Sequence, residues 1–364
     1  MNYSARNSGF SLVEILVGLA IGILGMIVMV QMFSVTEAGK RTTGGSDDAQ
    51  TTGAIAMYSL ERDIRQSGYG VTNIRLIGCN VLLPTGVTLN GFAPVTINHA
   101  NVPAGDANTD TLVTVSGSNH GSTEGDVIVT QPLATYPKTY TVQTITSHAV
   151  ADQIIAEVNT TGPANPCNLR MEPITTITAG TSNINVATGL AAANNGYIFN
   201  MGANPRIFAY AIRNTKLTQC DFMVADCTSV AQVADATVWQ PIASNIVSLR
   251  AQYGRDSTPA AMDAIIDVFD QTTPDYNVAT TACNFSRIFS LRLALVARNQ
   301  NPEKTDGGVT TVAPTWLGST ANPISLEDED EWKQYRYKVF QTVVPLRNVI
   351  ATGVVPLING APPC

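Results

Sequence analysis

The chain has 364 residues, enough for more than one core-bearing unit. Charged residues make up 13%, about half the usual share of roughly 25%, and the net charge is −7. That balance excludes the basic footprint of a nucleic-acid binder and any surface that would coat an anionic membrane; the uncharged polar residues suit a β-rich exported protein.

The first informative stretch is "NSGFSLVEILVGLAIG", residues 7–22. No charged residue occurs from Ile15 to Thr36, and these 22 residues span roughly 33 Å as a helix, enough to cross a bilayer. The run is too long for the core of an ordinary secretory signal, and no small-x-small cleavage site follows it. Arg6 before it, against Glu37, Lys40 and Arg41 after it, gives a weak bias toward a cytoplasmic N-terminus. Glu14 is the anomaly. A carboxylate at the centre of a membrane helix costs on the order of 2.5–3.5 kcal/mol, less near the interface, so it needs a partner. A cut between Gly9 and Phe10 would create an amine one helical turn from Glu14, available within one subunit or to a neighbour. Gly18 and Gly22 form a GxxxG, with Gly25 a further turn along, and predict close helix packing.

After Phe33 the sequence turns polar and then regains helical periodicity. Met57, Leu60 and Ile64 share one face of "AIAMYSLERDIRQSGYG", with Glu61, Arg62, Asp63 and Arg65 elsewhere on the turn. The reading is one long helix from Phe10 to about Gln66, weakened around Gly44 and Gly45 and ended by Gly68 and Gly70. From about 71 to 240, short β-favouring runs alternate with Gly, Pro, Asn and Ser; "DTLVTVSG", "GDVIVTQ", "TYTVQTIT", "QIIAEV", "GYIFNMG" and "RIFAYAIR" read as strands. Helical stretches rarely separate them, so the region is antiparallel rather than doubly wound. In the last third, "ASNIVSLRAQYGRD", "SRIFSLRLALVARN" and "YRYKVFQTVVPLRNVI" read as three further strands. In the second, Phe289, Leu291, Leu293 and Leu295 alternate with Ser290, Arg292 and Ala294, which predicts one core face.

Six cysteines, Cys79, Cys167, Cys220, Cys227, Cys283 and Cys364, lie at wide, irregular spacing with no CxxC pair, which argues against zinc. In an exported protein they are candidates for disulfides, and Cys220 with Cys227 is the best local pair. His99, His120 and His148 are scattered, without a second ligand at metal spacing, and no nucleophile elbow (G-x-S-x-G), P-loop or H-E-x-x-H zinc motif occurs. No metal, cofactor or catalytic residue is expected. The acidic run Glu327–Glu331 lacks the alternation of a calcium loop and reads as a solvated turn, and Asp256, Asp263, Asp267 and Asp270 are too spread in sequence for a compact site. Arg65 and Arg287 are assigned only structural pairing with acids of the head.

"SGFSLVEILVGLAIG" resembles the class III signal of type IV prepilins and type II secretion pseudopilins. The resemblance implies cleavage after Gly9 by a prepilin peptidase, N-methylation of Phe10, and Glu14 as the assembly acid. "LERDIRQSGYG", "LRAQYGRD" and "YKVFQTVVPLRN" resemble segments of the PilW family of minor pilins, with Ser67 in place of the family's usual alanine. The region from about 80 to 205 resembles no particular member. The implied fold is α+β and pilin-like: a long N-terminal helix, transmembrane in its first half, packed on an antiparallel β-rich head. Residues 1–9 would be the leader, 10–67 the helix with its membrane segment over about 10–33, 68–240 the β-rich head, 241–350 a C-terminal antiparallel sheet and 351–364 a tail. The implied function is type IV pilus assembly, in the initiation or tip complex that primes the major pilin. Implied partners are other minor pilins, the major pilin, a large tip adhesin, the prepilin peptidase and the inner-membrane platform; no nucleic acid is expected. The head would be periplasmic before assembly and at the pilus tip after it. The alternatives are a minor pseudopilin of type II secretion and, from another class, a membrane-anchored periplasmic enzyme.

Overall fold

The computed structural model describes residues 11–71, 73, 75–117, 125–130, 138–157, 167–190, 196–257, 263, 265–275, 281–303, 307–329 and 331–350, with side chains left out at a few of these. In chain order the elements are α1 (Leu12–Gln66), β1 (Asn80–Leu82), β2 (Thr88–Leu89), β3 (Val95–Ile97), β4 (Leu112–Ser116), β5 (Asp126–Thr130), β6 (Thr139–Val142), β7 (Gln153–Glu157), β8 (Asn168–Thr178), β9 (Asn183–Val186) and β10 (Tyr197–Gly202). They continue with β11 (Arg206–Arg213), β12 (Lys216–Asp221), β13 (Gln240–Ser244), β14 (Ile246–Arg255), β15 (Val268–Asp270), α2 (Thr281–Ser286), β16 (Ile288–Arg298), β17 (Tyr337–Pro345) and α3 (Arg347–Ile350). A long helix on a β-rich head makes the chain α+β.

Helix α1 runs unbroken for 55 residues, through Gly44 and Gly45 rather than weakening there. Tertiary contact overrides the low helix propensity of glycine: a Cβ on Gly45 would lie 3.2 Å from Asn299 Cβ, so the glycine lets the helix run close to the segment after β16. The helix stops at Ser67, whose N–H still reaches Asp63 and Ile64 carbonyls, and Gly68 and Gly70 then take φ of 84° and 74°, conformations that glycine adopts without strain.

The second half of α1 lies across an antiparallel sheet of order β15-β14-β16-β17 and touches a second of order β13-β12-β11-β4-β3. Ala56, Met57, Leu60 and Ile64 bury against Ile97, Leu112, Tyr210 and Ile212 of the second sheet and Leu249, Leu291, Leu293 and Leu295 of the first, forming one core. The expectation of a single core face on β16 fails. Ala294 and Val296 on its other face are also fully buried, under Trp316, Ile324 and Leu326 from the long β16–β17 connection. That connection covers the face turned away from the helix. A non-sequential cover of this kind leaves no signature in the alternation of the strand itself.

Strands β4 and β11 are antiparallel neighbours, with Ser116 opposite Arg206. Between them, β8-β7-β10-β5-β6-β9 are hydrogen-bonded in that order, and β9 pairs again with β8, closing a six-stranded barrel that packs on the five-stranded sheet through Ile155, Met171, Phe199 and Met201. Its core holds Ile128, Tyr140, Ile154, Ile174, Ile184 and Ile198. Strand β8 carries no clear strand signature in the sequence, since Pro173 interrupts it. The proline stands where β8 stops pairing with β7, at Pro173, and starts pairing with β9, at Ile174, with a register shift just beyond; a residue lacking an N–H is tolerated at such a place. The β1–β8 pairing is parallel, so the head is not wholly antiparallel.

Candidate functional site

The apolar part of α1, Leu12–Ser34, is 23 residues with a mean hydropathy of 2.6, and none of it is buried by the rest of the chain. Its helix begins with Ser11, whose N–H donates to Glu14 Oε2 at 3.2 Å, the side-chain half of a capping box. In the single chain, then, Glu14 satisfies its own helix terminus. Nothing lies within 4 Å of the position a Cβ would take on Gly18, Gly22 or Gly25, so the small-residue stripe faces open space. Gly9 and Phe10 lie outside the described residues.

The other end of α1 is gripped by the head. Asp63, off the face that carries Met57, Leu60 and Ile64, is nevertheless 5% exposed. Its Oδ2 accepts from Tyr210 Oη at 2.5 Å and its Oδ1 from Arg206 Nη2 at 2.8 Å, both on β11. Arg206 Nη1 also donates to Gln66 Oε1 at 2.7 Å, and Gln219 Nε2 donates to Tyr210 Oη at 2.7 Å. Burial, and then the adjacent Asp63 carboxylate, push the Tyr210 phenol well above its ordinary range, so it remains the donor. The carbonyls left over at the end of the helix are capped from the far end of the chain: Asn348 Nδ2 on α3 donates to Ser67 O at 2.9 Å and Gln66 O at 3.2 Å.

Midway along the contact, Gly53 faces β17. A Cβ there would lie 2.1 Å from Phe340 Cε2, inside any permitted contact, so helix and sheet meet at a point where only hydrogen fits. A similar contact occurs in "LRAQYGRD": a Cβ on Gly254 would lie 2.2 Å from Ser290 Oγ and 2.8 Å from Phe269 Cε1. The three stretches that resemble one family in sequence therefore meet at one junction. "LERDIRQSGYG" supplies Asp63 and the helix stop, "LRAQYGRD" the central strand, and "YKVFQTVVPLRN" the strand under Gly53 and the Asn348 cap.

The remaining polar candidates have structural partners. Cys79 is bonded to Cys167, joining β8 to the residue before β1, and Cys220 to Cys227 across the turn after β12. The Cys283 side chain and all of Cys364 lie outside the described residues, as do His120 and Asp330. His99 is buried, its Nε2 2.6 Å from Asn90 O while its Nδ1 accepts from Asn101 N at 3.1 Å; burial lowers its basicity. His148 is also buried, 3.5 Å from Asp126, and burial outweighs the nearby carboxylates in lowering its basicity. Arg65 pairs with Glu61 one turn back at 3.0 Å rather than with the head, whereas Arg287 reaches Asp256 at 3.5 Å. Around the β14–β15 hairpin, Asp256 accepts from Asp263 N at 2.8 Å, Asp267 from Ser257 N at 2.8 Å, and Asp270 pairs with Arg255 at 2.7 Å. In the acidic run, Asp328 accepts from Asn108 and Glu329 pairs with Arg298 at 3.2 Å. Among the described residues no group of three His, Cys, Asp or Glu side chains is arranged to hold a metal.

Residues 209–348 match the family model described as type IV pilus-assembly protein W, PilW. Among solved structures, a type IV-like pilin from Thermus thermophilus matches 55% of this chain and 87% of its own length, at 12% identity and a TM-score of 0.21. No curated protein matches the chain.

Proposed function

We propose that this chain is a PilW-type minor pilin that acts in type IV pilus assembly, in the complex that starts the fibre and stays at its tip. One observation carries the reading: the PilW match over 209–348 covers almost the whole of the junction's head side, from Tyr210 to the Asn348 cap, and so coincides with the part that holds the long apolar helix. A family whose matching segment is a socket for a membrane-length helix is a structural family, and the chain has the helix to fill it.

The mechanism follows from the helix. Leu12–Ser34 holds the subunit in the inner membrane with the head in the periplasm. A prepilin peptidase cuts after Gly9, and Phe10 becomes the methylated N-terminus. Glu14, which caps its own helix in the single chain, then exchanges the Ser11 N–H for a neighbour's Phe10 amine. A charge-to-charge bond in a low-dielectric setting is worth more than a bond to a neutral amide, which drives the exchange. The open stripe Gly18, Gly22 and Gly25 is then free to receive the neighbouring helix at close range. Other minor pilins, the major pilin and a large tip adhesin are the partners this mechanism calls for.

Substitution at Glu14 separates the two bonds. Glu14→Gln keeps an oxygen acceptor for Ser11 N–H but has no charge to offer a neighbour; Glu14→Ala has neither. Both variants should be processed and inserted normally, and both should be nearly absent from sheared fibres. Normal incorporation of Glu14→Gln would refute the assembly role of the charge. In a strain lacking the chain and its retraction motor, surface pili should be lost. Normal piliation with failed protein secretion would instead place the chain in a type II secretion system.

A further inference from the structure

We propose that the face of the four-stranded sheet turned away from α1 is a docking surface, centred on Arg292, for a carboxylate carried on the head of a different, neighbouring subunit. The inference rests on the minor-pilin reading, and it names the contact that reading leaves unspecified. Arg292 lies on β16 between its cross-strand partners Gln252 and Val343. Above it the face is covered by Trp316, Ile324 and Leu326. At its own level the cover continues over Gln252, which is 1% exposed and donates to Gly318 O at 3.4 Å, but not over Val343, which is 42% exposed; Leu317, between Trp316 and Gly318, is 66% exposed.

The guanidinium is held rigidly but left incompletely bonded. Its Nε donates to Gln252 Oε1 at 3.1 Å and its Nη2 to the same oxygen, and its carbon lies 4.1 Å from the Phe269 ring centre and 5.7 Å from that of Trp316. Among the described residues it has no carboxylate partner and Nη1 has no acceptor. Other arginines of the head are different: half-buried Arg75 and Arg298 reach Glu157 and Glu329, each at 3.2 Å, and buried Arg250 reaches Asp110 at 3.6 Å. Arg213, which has no acid at contact, donates to two backbone carbonyls at 2.8 and 2.9 Å instead. Among the described residues, then, Arg292 is a cation stacked on two aromatic rings with no acid beside it. Gln252 and the two rings offset part of its desolvation, and a carboxylate arriving from outside would supply the opposite charge it lacks. A central arginine with aromatic neighbours and an apolar rim has the composition of an interface hot spot. The occupant is therefore an Asp or Glu side chain of the partner, next to an apolar residue that covers Leu317 and Val343.

The test uses the full-length chain in its own membrane, with a photo-cross-linking phenylalanine analogue in place of Val343. A discrete cross-link to one other assembly subunit is expected, mapping to a segment that contains an Asp or Glu. Arg292→Glu should lower its yield by about tenfold or more, and Arg292→Lys less, because lysine keeps the charge but loses the planar fork. Leu317→Glu, at a position 66% exposed, adds a carboxylate to the proposed surface and should lower the yield with Arg292 intact. It carries the test if Arg292→Glu fails to form the two disulfides. No cross-link, a cross-link to lipid or to a second copy, or a yield that Leu317→Glu leaves unchanged would each overturn the proposal. If pili are normal without the chain, the assembly reading fails; if pili need the chain but the cross-link ignores these variants, only the docking surface fails.

Discussion

Asp63 shows how much one side chain can hold. It is a carboxylate inside a core of leucines and isoleucines, tolerated because Tyr210 and Arg206 both donate to it. Tyr210→Phe conserves volume and removes one of those bonds. It also leaves Gln219 Nε2 without its acceptor. A hydrogen bond to a charged group is worth about 1.5–3 kcal/mol, and denaturant unfolding of the full chain in detergent should show a loss of that order. An unchanged midpoint would mean that Arg206 and Arg62 satisfy the acid without the phenol. Sequence could not reveal this residue's role. The period that puts Met57, Leu60 and Ile64 on one face leaves Asp63 beside them; apart from its neighbour Arg62, at 3.2 Å, its donors come from β11, well over a hundred residues away.

At the scale of elements, the decisive contact is the crossing of α1 over β17. Two effects of Gly53→Ala compete. Alanine gains about 1 kcal/mol of helix propensity. Against this, a methyl group 2.1 Å from Phe340 Cε2 forces the helix away from the sheet, and overpacking of that kind costs about 1–3 kcal/mol. We expect overpacking to win and Gly53→Ala to lower stability. Combining it with Phe340→Ala should recover part of the loss, with a coupling of about 0.5–3 kcal/mol in a double-mutant cycle. Strict additivity would show that the ring simply moves aside. The elements with strong local periodicity were legible in the sequence: α1, the barrel strands β5, β7 and β10, and the long strands β11, β14 and β16. What periodicity could not supply was β8, hidden by its proline, the two-sided burial of β16, and the unbroken helix through Gly44 and Gly45. Each of these is decided by a partner distant in sequence. The membrane-length segment was legible at once because it depends on composition alone; the junction was not, since it is assembled from three remote stretches.

At the scale of the whole molecule, two disulfides do different work. Cys79–Cys167 closes a sequence separation of 88 residues and ties barrel to stem, whereas Cys220–Cys227 closes a separation of 7 within one turn. On loop entropy the first is worth roughly 4–5 kcal/mol and the second roughly 2–3 kcal/mol. Cys79→Ser with Cys167→Ser should therefore lower the melting temperature more than Cys220→Ser with Cys227→Ser. In the first variant limited proteolysis should cut within residues 117–205 before the stem; equal losses would show that native strain, not loop length, sets the ranking.

The barrel leaves the five-stranded sheet after Ser116 and rejoins it at Arg206, directly opposite. A pull along α1 enters the head through Gly53, Asp63 and the strands beneath them, and those strands run on without passing through the barrel. Because its two ends lie side by side, tension has no lever by which to stretch it. The load runs past the barrel's entry and exit rather than along its strands, and the barrel shares it only sideways, through its packing on the sheet and the Cys79–Cys167 bond.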